Sequence, residues 1–123
     1  MAKAVKLTSS WIQYNAGVQL LSKTVDTGSV TYTESHHGEF VLAADTSVTA
    51  GLGQLSEGNF LWVKNTTGDL WVHCGTQAIS SLNSIPLKTG GYVHIAKGTI
   101  TGLKFKNTNA ASQTTVEFWM TGD

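Results

Sequence analysis

Apolar side chains run along the chain in short bursts rich in Val, Ile, Thr and aromatics, and Gly, Asn, Asp and Ser separate one burst from the next. That is the pattern of strands on a pleated surface. No window of helical length keeps apolar residues at i, i+3, i+4 and i+7 without a glycine or a β-branched cluster breaking it. The pattern predicts strands over 4–7, 11–14, 18–23, 29–33, 39–43, 59–64, 70–74, 92–96, 100–106 and 114–121. Turns fall at Asn15-Ala16-Gly17, Thr27-Gly28, His37-Gly38, Gly68-Asp69 and Gly90-Gly91. Helical turns have room only within 47–55 or 82–85, and Pro86 suits an edge strand or its lead-in, because proline has no N–H to give a ladder. The expectation is an all-β, single-domain antiparallel β-sandwich over residues 11–123, with residues 1–10 as an arm or edge strand.

Two segments repeat one another. Phe60 to Thr66 and Gly102 to Thr108 each end a strand in Lys-Asn-Thr, and each is followed by a strand carrying a tryptophan. Folded as hairpins about Thr67-Gly68 and Ala111-Ser112, they set Lys64 opposite Trp71, Trp62 opposite His73, Phe105 opposite Phe118 and Lys104 opposite Trp119. Alternation then puts Leu61, Val63, Leu70, Val72 and Cys74 on a dry face. Phe60, Trp62, Lys64, Trp71 and His73 share the outward one. Four tryptophans exceed the need of one small core, and aromatic rings are enriched at the centres of protein interfaces. The candidate interface is therefore Trp11, Trp62, Lys64, Trp71, His73, Lys104 and Trp119.

Composition narrows the chemistry. The 123 residues suffice for one domain, and charged residues make up 13%, about half the usual share. Eight basic residues, all lysines, balance eight acidic ones. Nucleic acid is an unexpected partner for a chain with no basic excess and no arginine fork. A net charge of zero gives little colloidal repulsion and favours association. No apolar run approaches the roughly 20 residues that cross a bilayer, and residues 1–14 hold no signal-like apolar stretch, so synthesis in the cytoplasm with no membrane partner is expected. Asn65-Thr66-Thr67 matches the glycosylation triplet but reads as a polar turn. Cys74, the single cysteine, cannot form an internal disulfide and reads as a buried thiol. His36 and His37 read as a loop pair, since strand neighbours point to opposite faces and seldom share a metal ion. No carboxylate pair stands out, and nucleophile-elbow, phosphate-loop and dinucleotide glycine motifs are absent. No catalytic residue, cofactor or metal is expected.

The C-terminal half runs from the aromatic strand with its Lys-Asn-Thr end through Ile85-Pro86-Leu87-Lys88-Thr89-Gly90-Gly91-Tyr92 to the closing Thr115-Val116-Glu117-Phe118-Trp119. Over roughly residues 59–121 it resembles small β-rich virion proteins of tailed bacteriophages that decorate or cement a capsid shell. The resemblance implies a jelly-roll-like fold, a homo-oligomer with a trimer favoured, residence on the capsid surface, and a major capsid protein or other virion protein as partner. It implies a structural role without catalysis. A second reading is a carbohydrate-binding module or receptor-binding tip, with tryptophans stacked on sugar rings. A third, a small cupin-type enzyme, requires a histidine cluster with a carboxylate inside the barrel.

Overall fold

The computed structural model describes residues 3–6, 8–26, 28, 30–32 and 34–123, with backbone alone at 11, 20, 30 and 31. The described residues form strands and no helix. The chain divides into two compact units, Met1–Tyr32 and Thr33–Asp123.

The second unit holds β5 (Glu34–Leu42), β6 (Ser47–Thr49), β7 (Gly58–Thr67), β8 (Leu70–His73), β9 (Ile85–Leu87), β10 (Tyr92–Ile95), β11 (Lys104–Asn107) and β12 (Thr114–Gly122). They make two four-stranded antiparallel sheets, ordered β10-β7-β12-β5 and β6-β11-β8-β9. Eight strands distributed between two sheets in this order are a jelly roll. All ten predicted strands overlap observed ones across the two units, while β6 and β9 are additional. Where helical turns are allowed, within 47–55 and 82–85, β6 takes residues 47–49 and single turns follow or precede the strands, with the Leu55 N–H donating to the Leu52 carbonyl at 3.1 Å and the Asn83 N–H to the Ser80 carbonyl at 3.3 Å. Pro86 lies in the edge strand β9.

The two expected hairpins do not form. β7 pairs with β12 and β10, whereas β8 pairs with β11 and β9. The chain between β7 and β8 crosses from one sheet to the other, so each dry face covers its counterpart across the sandwich. Leu61, Val63, Val116, Phe118 and Met120 of the first sheet meet Leu70, Val72 and Phe105 of the second in one buried cluster. Phe105 does face Phe118, with ring centroids 5.7 Å apart, but through the core. Phe40 completes the cluster at 6.1 Å from Phe105 and 5.9 Å from Phe118. Phe60, expected outside, is buried; beside it the segment around Gly98 and Ile100 hydrogen-bonds to Gly58 and Asn59. Gly68, at φ +92°, makes the crossover, and a side chain there would collide with the Thr114 hydroxyl.

The repeated Lys-Asn-Thr motif proves structural. Asn65 lies within β7 and Asn107 ends β11, both fully buried, so the polar-turn reading of 65–67 is replaced by a strand. The Asn65 side-chain amide donates to the carbonyls of Gly68 at 2.6 Å and Leu87 at 3.0 Å. Asn107 shares its amide hydrogens among Leu42, Ala43 and Ser112 carbonyls at 3.1, 3.1 and 2.7 Å, and its Oδ1 accepts from the Asn109 N–H. Each amide satisfies carbonyls where strands leave their ladders, a place where unpaired backbone is costly.

The first unit holds β1 (Lys3–Val5), β2 (Thr8–Asn15), β3 (Val18–Asp26) and β4 (Val30–Tyr32). β1 pairs with β4, and β2 with β3 in a hairpin. The hairpin turns on Ala16 and Gly17, both at positive φ, the twist that a two-residue loop between strands demands. Register shifts between Gln13 and Tyr14, which leaves Leu20 as the extra residue of a bulge. The Asp26 carboxylate accepts the Gly28 N–H at 2.7 Å and pairs with Lys6 at 3.4 Å, which together hold it below its ordinary range. No side chain described in this unit is buried. The sequence reading sets only residues 1–10 apart from the sandwich, whereas the first compact unit runs through Tyr32.

Asn107→Ala removes a buried donor from three carbonyls, and we expect it to lower the unfolding free energy by about 2–4 kcal/mol in denaturant titration. Asn107→Asp should not restore it, since a carboxylate cannot donate.

Candidate functional site

Period-two alternation along β5, β7, β10 and β12 sends one set of side chains out of the first sheet. Register aligns them into rows: His37, Trp119, Trp62 and His94 in one, and Glu39, Glu117, Lys64 and Tyr92 in the next. His37 stacks on Trp119 with centroids 4.3 Å apart and planes 12° apart. Trp62 lies 6.4 Å from His94, which lies 5.1 Å from Tyr92. Trp119 remains 50% exposed and Tyr92 63%, large rings left in water by a sheet whose other face is sealed. Burial pushes the His94 imidazole below its usual range. Glu39 and Glu117 stand directly opposite one another, a destabilising like-charge pair, and neither forms an ion pair among the described residues.

Of the expected interface residues, Trp62, Lys64 and Trp119 belong to this face. Trp71, His73 and Lys104 belong to the outer side of the second sheet. There the Lys104 ammonium donates to the carbonyls of Thr76 at 3.0 Å and Gln77 at 2.8 Å, and His73 Nδ1 lies 2.8 Å from the Asn83 carbonyl. The loop between β8 and β9 thus closes over His73, which is buried, and ties down Lys104. The lysine over Trp71 is Lys106, at 5.6 Å, in place of the expected Lys64. Trp11 sits opposite Lys23 in the β2–β3 ladder, and its side chain lies outside the described residues. The row therefore adds His37, His94, Tyr92, Glu39 and Glu117 to what sequence reasoning found. The signal was alternation through β5, which the turn assigned to His37-Gly38 interrupted.

His36 and His37 are strand residues in place of the expected loop pair. His37 points outward, while His36 meets the edge of Phe118 at 5.0 Å and places Nε2 3.0 Å from the Ala50 carbonyl. Cys74 is half-buried beside the core, and burial pushes its thiol up, away from the reactive thiolate. Among the described residues no three His, Cys, Asp or Glu side chains gather in one place. Two open hollows lie over the second sheet, of about 310 and 460 Å³. The smaller contains Lys104 and Lys106, held by carbonyls and by Asp45 respectively; the larger contains the Asp69–Lys88 pair at 3.7 Å.

No protein-family model matches the sequence, and no curated protein matches it. Among solved structures, the Schizosaccharomyces pombe Cnp3 cupin domain is similar at 12% identity and a TM-score of 0.45, over 96% of this chain and 84% of that one. The assignment as a jelly roll follows from strand order within the two sheets.

The depressed His94 fixes a sign. The unfolded chain takes up this proton at a higher pH than the fold does, so stability is lost as pH falls through about 6.5. Melting temperatures at pH 7.5 and 5.5 should show a drop that His94→Asn reduces.

Proposed function

We propose that the chain is a structural assembly protein, a jelly roll that joins other protein subunits in a virion and stabilises a capsid shell as a decoration protein does. The exposed aromatic row on the first sheet carries this reading. Its rings stand on a broad sheet face beside the charged row of Glu39, Glu117 and Lys64, which suits contact with a complementary protein surface. Binding only the assembled shell adds its free energy to that state alone. Several copies acting together multiply weak contacts through effective concentration.

The sugar-binding alternative needs ring faces open for stacking, and His37 covers one face of Trp119. The jelly-roll interior is filled by Phe105, Phe118, Leu61, Met120 and their neighbours, which leaves the outer surface as the place where this chain meets others. Non-catalytic work on that surface is the role we assign.

Shells prepared without the protein should bind it in co-sedimentation. Trp119→Ala, an exposed position, should weaken that binding about 10-fold or more while leaving the melting temperature within a few degrees. Equal binding by the variant would remove the aromatic row from the interface.

A further inference from the structure

We infer that residues 75–84 form a strap over the second sheet that opens when His73 takes up a proton.

The strap joins β8 to β9, and none of its residues is buried. Leu82 is 97% exposed. The segment folds on itself around Asn83, whose side-chain amide donates to the Ala78 carbonyl at 2.9 Å and whose Oδ1 accepts the Ser80 N–H at 2.9 Å. A segment with so little buried surface opens at a lower free energy than the core beneath it. Two side chains of the sheet hold it down, the cross-strand partners Lys104 and His73. Lys104 grips the start of the strap through the Thr76 and Gln77 carbonyls, and His73 grips its end through the Asn83 carbonyl.

A carbonyl only accepts, so Nδ1 of His73 carries the hydrogen of this 2.8 Å contact, and in the neutral ring Nε2 is bare. Nε2 is buried and has no hydrogen-bond partner among the described residues. The Gly75 backbone closes against that edge of the ring, where a Cβ would sit 2.9 Å from Nε2. A proton arriving on Nε2 therefore becomes a buried N–H with nothing to receive it, on a ring that now carries a charge.

No acid offsets that charge. The strap, β6, β9 and residues 101–103 contain no titratable side chain, and Cys74 steps to the core side. β11 contributes Lys104 and Lys106, both cations. Asp45 and Asp69 stand toward the other end of β8 and β11, beside Lys106 and Lys88. The imidazolium would instead face the Lys104 strand position in register, a like-charge pair. Opening relieves both penalties by giving the ring to water. It leaves His73, Lys104 and Lys106 as a cationic patch, so acid turns a side tied up in its own hydrogen bonds into one that attracts acidic surfaces.

Amide hydrogen exchange of the full chain, read by NMR and corrected for the intrinsic effect of pH, tests this. Ser80 and Asn83, whose N–H groups are bonded within the strap, should lose protection about 10-fold or more between about pH 7.5 and about pH 5, relative to Val116 and Phe118 in the core. The Hε1 resonance of His73 should move with the same midpoint. His73→Asn keeps a donor at the Nδ1 position and takes up no proton, so its strap should stay protected throughout. Unchanged protection in the wild type, a loss that survives in His73→Asn, or a His73 ring that titrates under a strap still protected would each overturn the inference. If His73→Asn does not fold, the two wild-type midpoints decide alone: a shared midpoint supports the strap, and separate ones overturn it.

Discussion

Two buried asparagine amides set the phase of the strands on which everything else stands. Asn65 points inward to meet the Gly68 and Leu87 carbonyls, and that orientation obliges Lys64 in the same strand to point out. Trp62 follows two residues earlier, on the same outward side. Asn107 does the equivalent in β11, holding Phe105 in the core and Lys106 outside over Trp71. A slip by one residue would bury a lysine and strand an amide donor, both of which cost more than a small domain can lose. The outer rows are therefore held in place from inside the sandwich.

That arrangement separates two kinds of work. Phe40, Phe105 and Phe118 pack within about 6 Å of one another and close the interior around aliphatic neighbours. Stability in such a core comes from buried apolar area and dense packing. The second sheet is covered in part by its own loop, through Lys104 and His73. On the first sheet Trp119 and Tyr92 stay largely exposed, and its cross-strand glutamates repel one another. The outer side of the second sheet is thus tied up in its own hydrogen bonds, while the first presents rings.

Much of this was legible in the sequence. Period-two alternation marked the strands, the dry residues Leu61, Val63, Leu70 and Val72, and the outward Trp62, Lys64 and Trp119. Connectivity was not legible, because local pattern cannot tell a hairpin from a crossover: in both, Leu61 and Val72 end up in the same core. The error carried into the second sheet, where His73 and Lys104 look outward by parity yet lie under or against the loop that follows β8. Gly38 hid the rest. In sequence it reads as a turn, but in β5 it leaves room for the ring of Phe118, 3.3 Å from where a Cβ would sit, and so His37 was lost from the row. The Lys-Asn-Thr repeat is visible as a likeness in the sequence, and only the fold reveals that both its asparagines donate from inside the sandwich to backbone carbonyls.

β12 has a consequence for biogenesis. It lies between β5 and β7 and pairs with both along nearly its whole length. Until residues 114–122 have left the ribosome, the first sheet is two unconnected fragments with Phe40, Leu61 and Val63 uncovered. Such long-range pairing makes closure slow, and a nascent chain stalled short of that point would present sticky apolar strands to its neighbours. Completion of the first sheet therefore waits on the last strand of the body, and premature contact between unfinished chains is the hazard that its timing creates.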